Sequence, residues 1–256
     1  MNKKIVAVIP ARMASSRFPG KPMAKLHGMP MIGHVYLRTR MSKVLDATYV
    51  ATCDQEIFDY ITSIGGKAVM TKDTHERCTD RTFEAVEKIE KEIGPVGAVV
   101  MVQGDEPMTT PEMIEASVRP ILERKDVRVV NLKGKITSEE EFQSPNTIKL
   151  VSDINNNAIY FSREPVPSRK KWNKDIPMFK QVCVISFSRD YLSEYSRLAP
   201  TPLEVIESID MNRVLEHGDK VFLVETNEAS HAVDTQDDLK AVEKLMTNDP
   251  LMKKYL

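Results

Sequence analysis

The chain has 256 residues, with 36 Lys and Arg against 37 Asp and Glu, and a formal net charge of −1. That length can bury a substantial core, and so balanced a charge gives no overall attraction to nucleic acid or an anionic membrane, so any anion must be held by a local cluster of cations. Three cysteines, odd in number and far apart, argue against a disulfide framework or a CxxC metal site and fit a reducing cytoplasm.

The first element is KIVAVIP, residues 4–10, a Val/Ile-rich run ended by proline that predicts a buried strand. It is too short for a signal peptide, has no small-residue cleavage site, and no apolar run in the chain nears the ~20 residues that span a bilayer. MIGHVYLRTRMSKV places apolar residues at helical spacing, ATYVATCD predicts a second strand, and QEIFDYITSIG a helix closed by glycine. KAVMT, CTDRTFEAVEKIEKEIG, GAVVMVQGDEP and TPEMIEASVRPILERK continue the alternation as strand, helix, strand and helix, with Pro111 near the last helix's start. Such β-α-β-α order predicts an α/β fold with a mostly parallel sheet and helices on both faces.

After residue 125 the pattern changes. DVRVVNLKG, NTIKLVSD, NNAIYFSRE and QVCVISFS read as strands in close succession, with the polar, proline-rich PVPSRKKWNKDIPM before the last. A strand-rich insertion with a protruding arm is expected over about 126–190 of a single domain, 1–256. PLEVIESIDMNRVLEHG then predicts one helix, DKVFLVET a strand and TQDDLKAVEKLMTN a final helix.

Three stretches carry chemistry. Residues 11–22, ARMASSRFPGKP, begin where the first strand ends, the edge at which open parallel sheets bind ligands. Pro10, Pro19 and Pro22 stiffen the loop and Gly20 permits close approach, while Arg12, Arg17 and Lys21 offer two guanidinium forks and an ammonium. These suit a polyphosphate, although the Walker spacing GxxxxGK[ST] is absent and a solvated basic loop has the same composition. VQGDEP, residues 102–107, puts Asp105 at another strand's carboxyl end, where it could hold Mg2+ or simply occupy a turn. HAVDTQDDL, residues 231–239, supplies Asp234 just before Thr235, a plausible N-cap; it is a second carboxylate for a metal or a helix-start residue. His34 lies in an apolar helical pattern and reads as structural, His217 precedes a helix-ending glycine, and Cys53 reads as a packing residue. RKKWNK, residues 169–174, reads as a solvated loop or dimer arm rather than a nucleic-acid patch.

In combination and order, IPARMASSRFPGKPM, VATCD, GGKAVMT, VQGDEPM, SPNTIKLV, AIYFSREPVP, PLEVIE, RVLEHG and VDTQDDL resemble the 3-deoxy-manno-octulosonate (Kdo) cytidylyltransferases over residues 4 to about 245. The resemblance implies a Rossmann-like nucleotidyltransferase fold, a homodimer in the cytoplasm, and Mg2+-dependent transfer of CMP from CTP to an acidic sugar with release of pyrophosphate. It implies a nucleotide site of Ala11, Arg12, Ser15, Ser16, Arg17, Lys21, Thr79, Arg81, Gln103 and Asp105, with catalysis resting on Arg12, Lys21 and Asp105. Mg2+ would sit on Asp105 and Asp234, and the acceptor on Arg77, Gln181, Glu204 and Glu207.

The sequence departs from the family pattern in three places. HERCTDR, residues 75–81, has Arg77 and Cys78 where the family has Ser and Gly. KQVC, residues 180–183, has Gln181 and Cys183 where the family has His and Gly, and DMNR, residues 210–213, replaces Glu-Gln-Leu-Arg. These changes leave open ordinary drift or a related acceptor: another keto sugar acid, an amino-sugar acid or a phosphonate. Separate alternatives are another nucleotide, such as UTP or dTTP, and an inactive nucleotide-binding module, against which the intact Lys21, Asp105 and Asp234 argue.

Overall fold

The computed structural model describes residues 3–14, 18–170 and 177–256. Strand β1 (Lys4–Pro10) leads through a 3-10 turn at Lys21–Met23 and the small hairpin β2 (Lys25–Leu26) and β3 (Met29–Pro30) into α1 (Met31–Arg40). Then come β4 (Ala47–Thr52), α2 (Gln55–Ser63), β5 (Ala68–Met70), α3 (Cys78–Ile93), β6 (Val96–Val102) and α4 (Pro111–Glu123). The second half comprises β7 (Val129–Lys135), α5 (Glu139–Gln143), β8 (Lys149–Ser152), β9 (Ala158–Ser162), β10 (Phe179–Ser188) and α6 (Arg189–Tyr195). It closes with α7 (Pro202–Glu207), α8 (Asp210–Glu216), β11 (Phe222–Glu225) and α9 (Gln236–Met246). No helix among the described residues is long and apolar enough to cross a membrane.

The main sheet runs β11-β7-β10-β6-β1-β4-β5. β1, β4, β5 and β6 are mutually parallel, and β11 is parallel to β7, but β10 is antiparallel to both β6 and β7. Within the expected insertion, then, β7 and β10 are central strands, and only β8 and β9 branch away as an antiparallel ribbon from the start of β10. The part of the proline-rich segment at 171–176, including most of RKKWNK, lies outside the described residues.

Because alternate residues of a strand face opposite sides, β1 feeds two cores. Val6 and Val8 pack with Ala85, Val86 and Ile89 of α3 and with Tyr191 and Tyr195 of α6. Ala7 and Ile9 pack with Ile32 and Val35 of α1 and Ile114 and Val118 of α4. Each of these larger aliphatic side chains is fully buried and contributes about 1.5–3 kcal/mol by leaving water. A third cluster holds α9, through Val242 and Met246, against Leu26, Met31 and Met108.

The segment expected as one helix over 202–218 is two. Ser208 takes a left-handed conformation, φ 55°, between α7 and α8. The break lets Arg213 fold back on Glu204, with Nε 2.7 Å and Nη2 2.6 Å from the two carboxylate oxygens. In one straight helix these positions would stand about 13 Å apart along the axis. His34 proves to be fully buried between the Leu26 carbonyl and the Tyr255 hydroxyl, 2.8 Å from each. Its neighbour Arg38 pairs with Asp249, so α1 anchors the chain that follows α9.

Candidate active site

The loop after β1 is tied down at its start. Ala11 is buried and its N–H donates to the carbonyl of Ala51 at 2.9 Å, while the Met13 N–H donates to Asp54 Oδ2 at 2.8 Å. Thus the VATCD stretch, at the end of β4, clamps its neighbour's loop. Further on, the Gly20 N–H returns to the Met13 carbonyl, and Gly20 adopts φ 73°, where glycine avoids the cost a side chain would meet. Lys21 opens the 3-10 turn with Pro22 behind it. Arg12 is exposed on this loop; Ser15, Ser16 and Arg17 lie outside the described residues.

Lys21 reaches both expected metal carboxylates. Its Nζ is 2.7 Å from Asp105 Oδ2 and 3.2 Å from Asp234 Oδ1. Burial would lower the lysine's pKa, but the two carboxylates outweigh it and hold the pKa above its usual value. Two backbone features bring the groups together. Gly104 brings the end of β6 against the end of β1, where a Cβ would lie 3.1 Å from the Pro10 carbonyl oxygen. The carbonyl of Asp105 accepts the Val233 N–H at 2.9 Å, which lays the chain before α9 alongside. Thr235 then caps α9 by accepting from the Asp238 N–H, as its sequence position suggests.

The other oxygen of Asp105, Oδ1, is buried and has no hydrogen-bond partner among the described residues. A buried carboxylate oxygen without a donor is costly, and a hard cation with oxygen ligands would satisfy it. No group of three or more His, Cys, Asp or Glu side chains able to hold a metal occurs among the described residues. Two carboxylates alone are a donor set for an ion that keeps most of its shell for water and phosphate, as Mg2+ does.

A cavity of about 950 Å3 opens beside these groups, lined among others by Gln103, Asp105, Gln181, Asp210 and Asp234. Cys183 lies in its wall, its thiol pushed well above the ordinary range by burial and then by Glu106 and Asp105, so it stays a neutral thiol. Cys78 is likewise pushed up to about 12, chiefly by burial.

The remaining expected residues form the cavity's support. Thr79 is fully buried and its N–H and hydroxyl both donate to Asp210 Oδ2. Arg81 is buried with its guanidinium on Thr71 Oγ1 and the carbonyls of Lys72 and His75, which shapes the loop after β5. Arg77, Glu204 and Glu207 are not among the cavity-lining residues. Arg77 donates to Ser208 Oγ at 2.8 Å and lies 3.5 Å from Glu204, bridging α3 to the α7–α8 break. Glu204 is fully buried on Arg213, and Glu207 accepts from the Tyr160 and Ser162 hydroxyls and the Arg163 N–H. The broken helix accounts for this placement: it brings Glu204 and Ser208 to Arg77 and sets Glu207 against the end of β9. The sequence alone does not single out Arg163 and Lys180, two of the cations lining the cavity. Arg163 directly follows β9, and a cation just past a strand's end was the available signal.

The cytidylyltransferase family profile matches residues 6–242. The chain belongs to the cytidylyltransferase family. It is 43% identical to a 3-deoxy-manno-octulosonate cytidylyltransferase of Geobacter metallireducens, over 94% of this chain and 98% of the relative. It is 40% identical to the enzyme of the same name from Fusobacterium nucleatum, over 93% and 95%. A solved structure of CMP:2-keto-3-deoxy-manno-octonic acid synthetase complexed with CTP superposes with a TM-score of 0.86 at 34% identity, covering 96% of this chain and all of that one. A cytidylyltransferase from Leptospira borgpetersenii, 14% identical with a TM-score of 0.64, shares the fold. The α/β architecture is therefore the Rossmann-like nucleotidyltransferase fold of the cytidylyltransferases, with the basic loop, Asp105 and Asp234 at one edge of the sheet.

Proposed function

We propose that this cytidylyltransferase moves CMP from CTP to the anomeric hydroxyl of 3-deoxy-manno-octulosonate or a close relative of that acid. The acceptor oxygen attacks the α-phosphorus, the bond from that phosphorus to the α–β bridging oxygen breaks, and pyrophosphate leaves; the hydroxyl proton passes to water or pyrophosphate. The observation that carries the reading is Lys21 held between Asp105 and Asp234 at the mouth of the cavity. With CTP bound, the lysine would turn from carboxylates to phosphate, joined by Arg12 and Arg17, and would offset charge on the departing pyrophosphate. Asp105 and Asp234 would hold Mg2+, which supplies charge neutralisation and polarisation at the phosphates. Gln103, Thr79, Arg81 and Ala11 belong, in this reading, to the nucleotide side of the cavity, the last three as its frame. Arg77, Glu204 and Glu207 act on the acceptor side through the 207–210 segment.

Assembly follows from the surface. Ile206 is 76% exposed, Val205 58% and Ile159 60%, an apolar set on α7 and β9. We assign this face to a two-fold homodimer, working in the cytoplasm; a monomer mass by light scattering at micromolar concentration would overturn the dimer.

The test is pyrophosphate release from CTP, Mg2+ and the acid. Release that needs all three supports the proposal. Release with UTP or dTTP but not CTP would move the chain to another nucleotide, and CTP binding by calorimetry without release on any acid would make it a binding module.

A further inference from the structure

One wall of the cavity is an amide relay whose direction is fixed. Asn131, on β7, is fully buried. Its Nδ2 donates to the carbonyls of Leu132 at 2.7 Å and Val182 at 3.0 Å. An amide in that position has one orientation, because flipping it would set oxygen against oxygen twice. Asn131 Oδ1 therefore faces Gln181, and the Gln181 atom 2.6 Å away is Nε2, the donor. Gln181 lines the cavity, and nothing among the described residues donates to its Oε1. This cavity-lining residue thus keeps as its unengaged end a carbonyl oxygen, which accepts hydrogen bonds and cannot donate them. A glutamine free to flip could offer either end.

The charge around it points the same way. Carboxylates outnumber Lys and Arg nine to three among the residues lining the cavity, and six to three once Asp105 and Asp234, which pair with Lys21, and Glu141, which pairs with Lys180, are set aside. Of the cations, Lys180 is paired with Glu141, and Arg163 donates to the carbonyls of Glu207 and Pro145. A fixed acceptor in an acidic cavity favours a ligand group that only donates and carries positive charge. A hydroxyl gives one donor and no charge; an ammonium gives three donors and a cation.

We infer that Asn131 is a positioning residue that makes Gln181 present its carbonyl to the acceptor, and that the site is tuned for a sugar acid carrying an amino group in place of one chain hydroxyl. The inference rests on the cytidylyltransferase reading above and names the acceptor class of that same site.

The experiment measures kcat/KM at saturating CTP and Mg2+ for 3-deoxy-manno-octulosonate and for analogues with single hydroxyl-to-amino replacements along the chain. The wild-type protein is expected to favour one amino analogue at least tenfold. In Gln181→Met that ratio should fall to about one, mainly through the acceptor's KM, with the KM for CTP unmoved. In Asn131→Leu, which leaves Gln181 in place but unoriented, the ratio should also fall, whereas a purely structural role would weaken both acceptors equally. Should Asn131→Leu fail to fold by circular dichroism, Gln181→Met and Gln181→His carry the decision. The inference is overturned if the parent acid is used as well as every amino analogue, or if Gln181→Met leaves the ratio unchanged. If no acid releases pyrophosphate, the cytidylyltransferase reading falls and this inference with it.

Discussion

The N–H of Val233 donates to the carbonyl of Asp105 at 2.9 Å, and this single backbone bond sets the next residue, Asp234, beside Lys21. The two carboxylates are thus brought together by main-chain geometry, and the Lys21 side chain closes the centre between them. In the proposed function this lysine serves phosphate and not the core. Lys21→Met should lower kcat at least 100-fold while the melting temperature moves by only a few degrees, since the variant removes one pre-placed cation. Near-normal turnover would remove the triphosphate role from this residue.

Asp105 makes a separable prediction. Asp105→Asn keeps the size and loses the charge, so the Mg2+ concentration for half-maximal turnover should rise tenfold or more. An unchanged metal titration would make Asp105 only the turn residue its Gly-Asp-Glu-Pro setting allows.

The broken helix is a stability device. Glu204 is fully buried and its charge is matched by Arg213. Arg213→Met leaves that carboxylate with only the more distant Arg77, 3.5 Å away, and should cost up to about 3–5 kcal/mol in urea unfolding, whereas the double change Glu204→Leu with Arg213→Met should recover most of the loss. A single variant as stable as wild type would mean the pair is not what holds α7 to α8.

Acidification should loosen the clamp on α1. Burial, the leading influence, lowers the His34 pKa below its ordinary 6.5 despite the Leu26 carbonyl. A histidine disfavoured as a cation when folded contributes stability that is present above pH 6.5 and lost as the pH falls below it. The melting temperature should therefore drop between pH 7 and pH 5, and drop less in His34→Asn. Parallel curves for the two proteins would exclude His34 as a source of the slope.

Several of these features could be read before any coordinates. β1, β4, β5 and β6 announce themselves as short apolar runs followed by helical spacing, because buried parallel strands cannot hide their composition. Lys21, Asp105 and Asp234 were legible for the related reason that each follows a strand end or precedes a helix cap. The α7–α8 break was not. Ser208 carries no glycine or proline signal, and the left-handed turn is stabilised by partners far along the chain, Arg77 among them. Nor could spacing show that Arg77 would lie against Ser208 and Glu204, or that Asn131, an ordinary polar residue within a strand, would fix the direction of Gln181.

Lys21 meets Asp105 across a separation of 84 residues and Asp234 across one of 213. A polypeptide growing from its amino end therefore makes the lysine first, Asp105 next and Asp234 long afterwards, with α9 and the Arg38–Asp249 pair still to follow. Until then Lys21 has only Asp105 as a counter-charge, and a nascent chain that stops short of residue 234 cannot hold the complete centre. Under the proposed function, competence would then report on the fold as far as α9, and a clip that releases α9 should silence the site from a distant part of the chain.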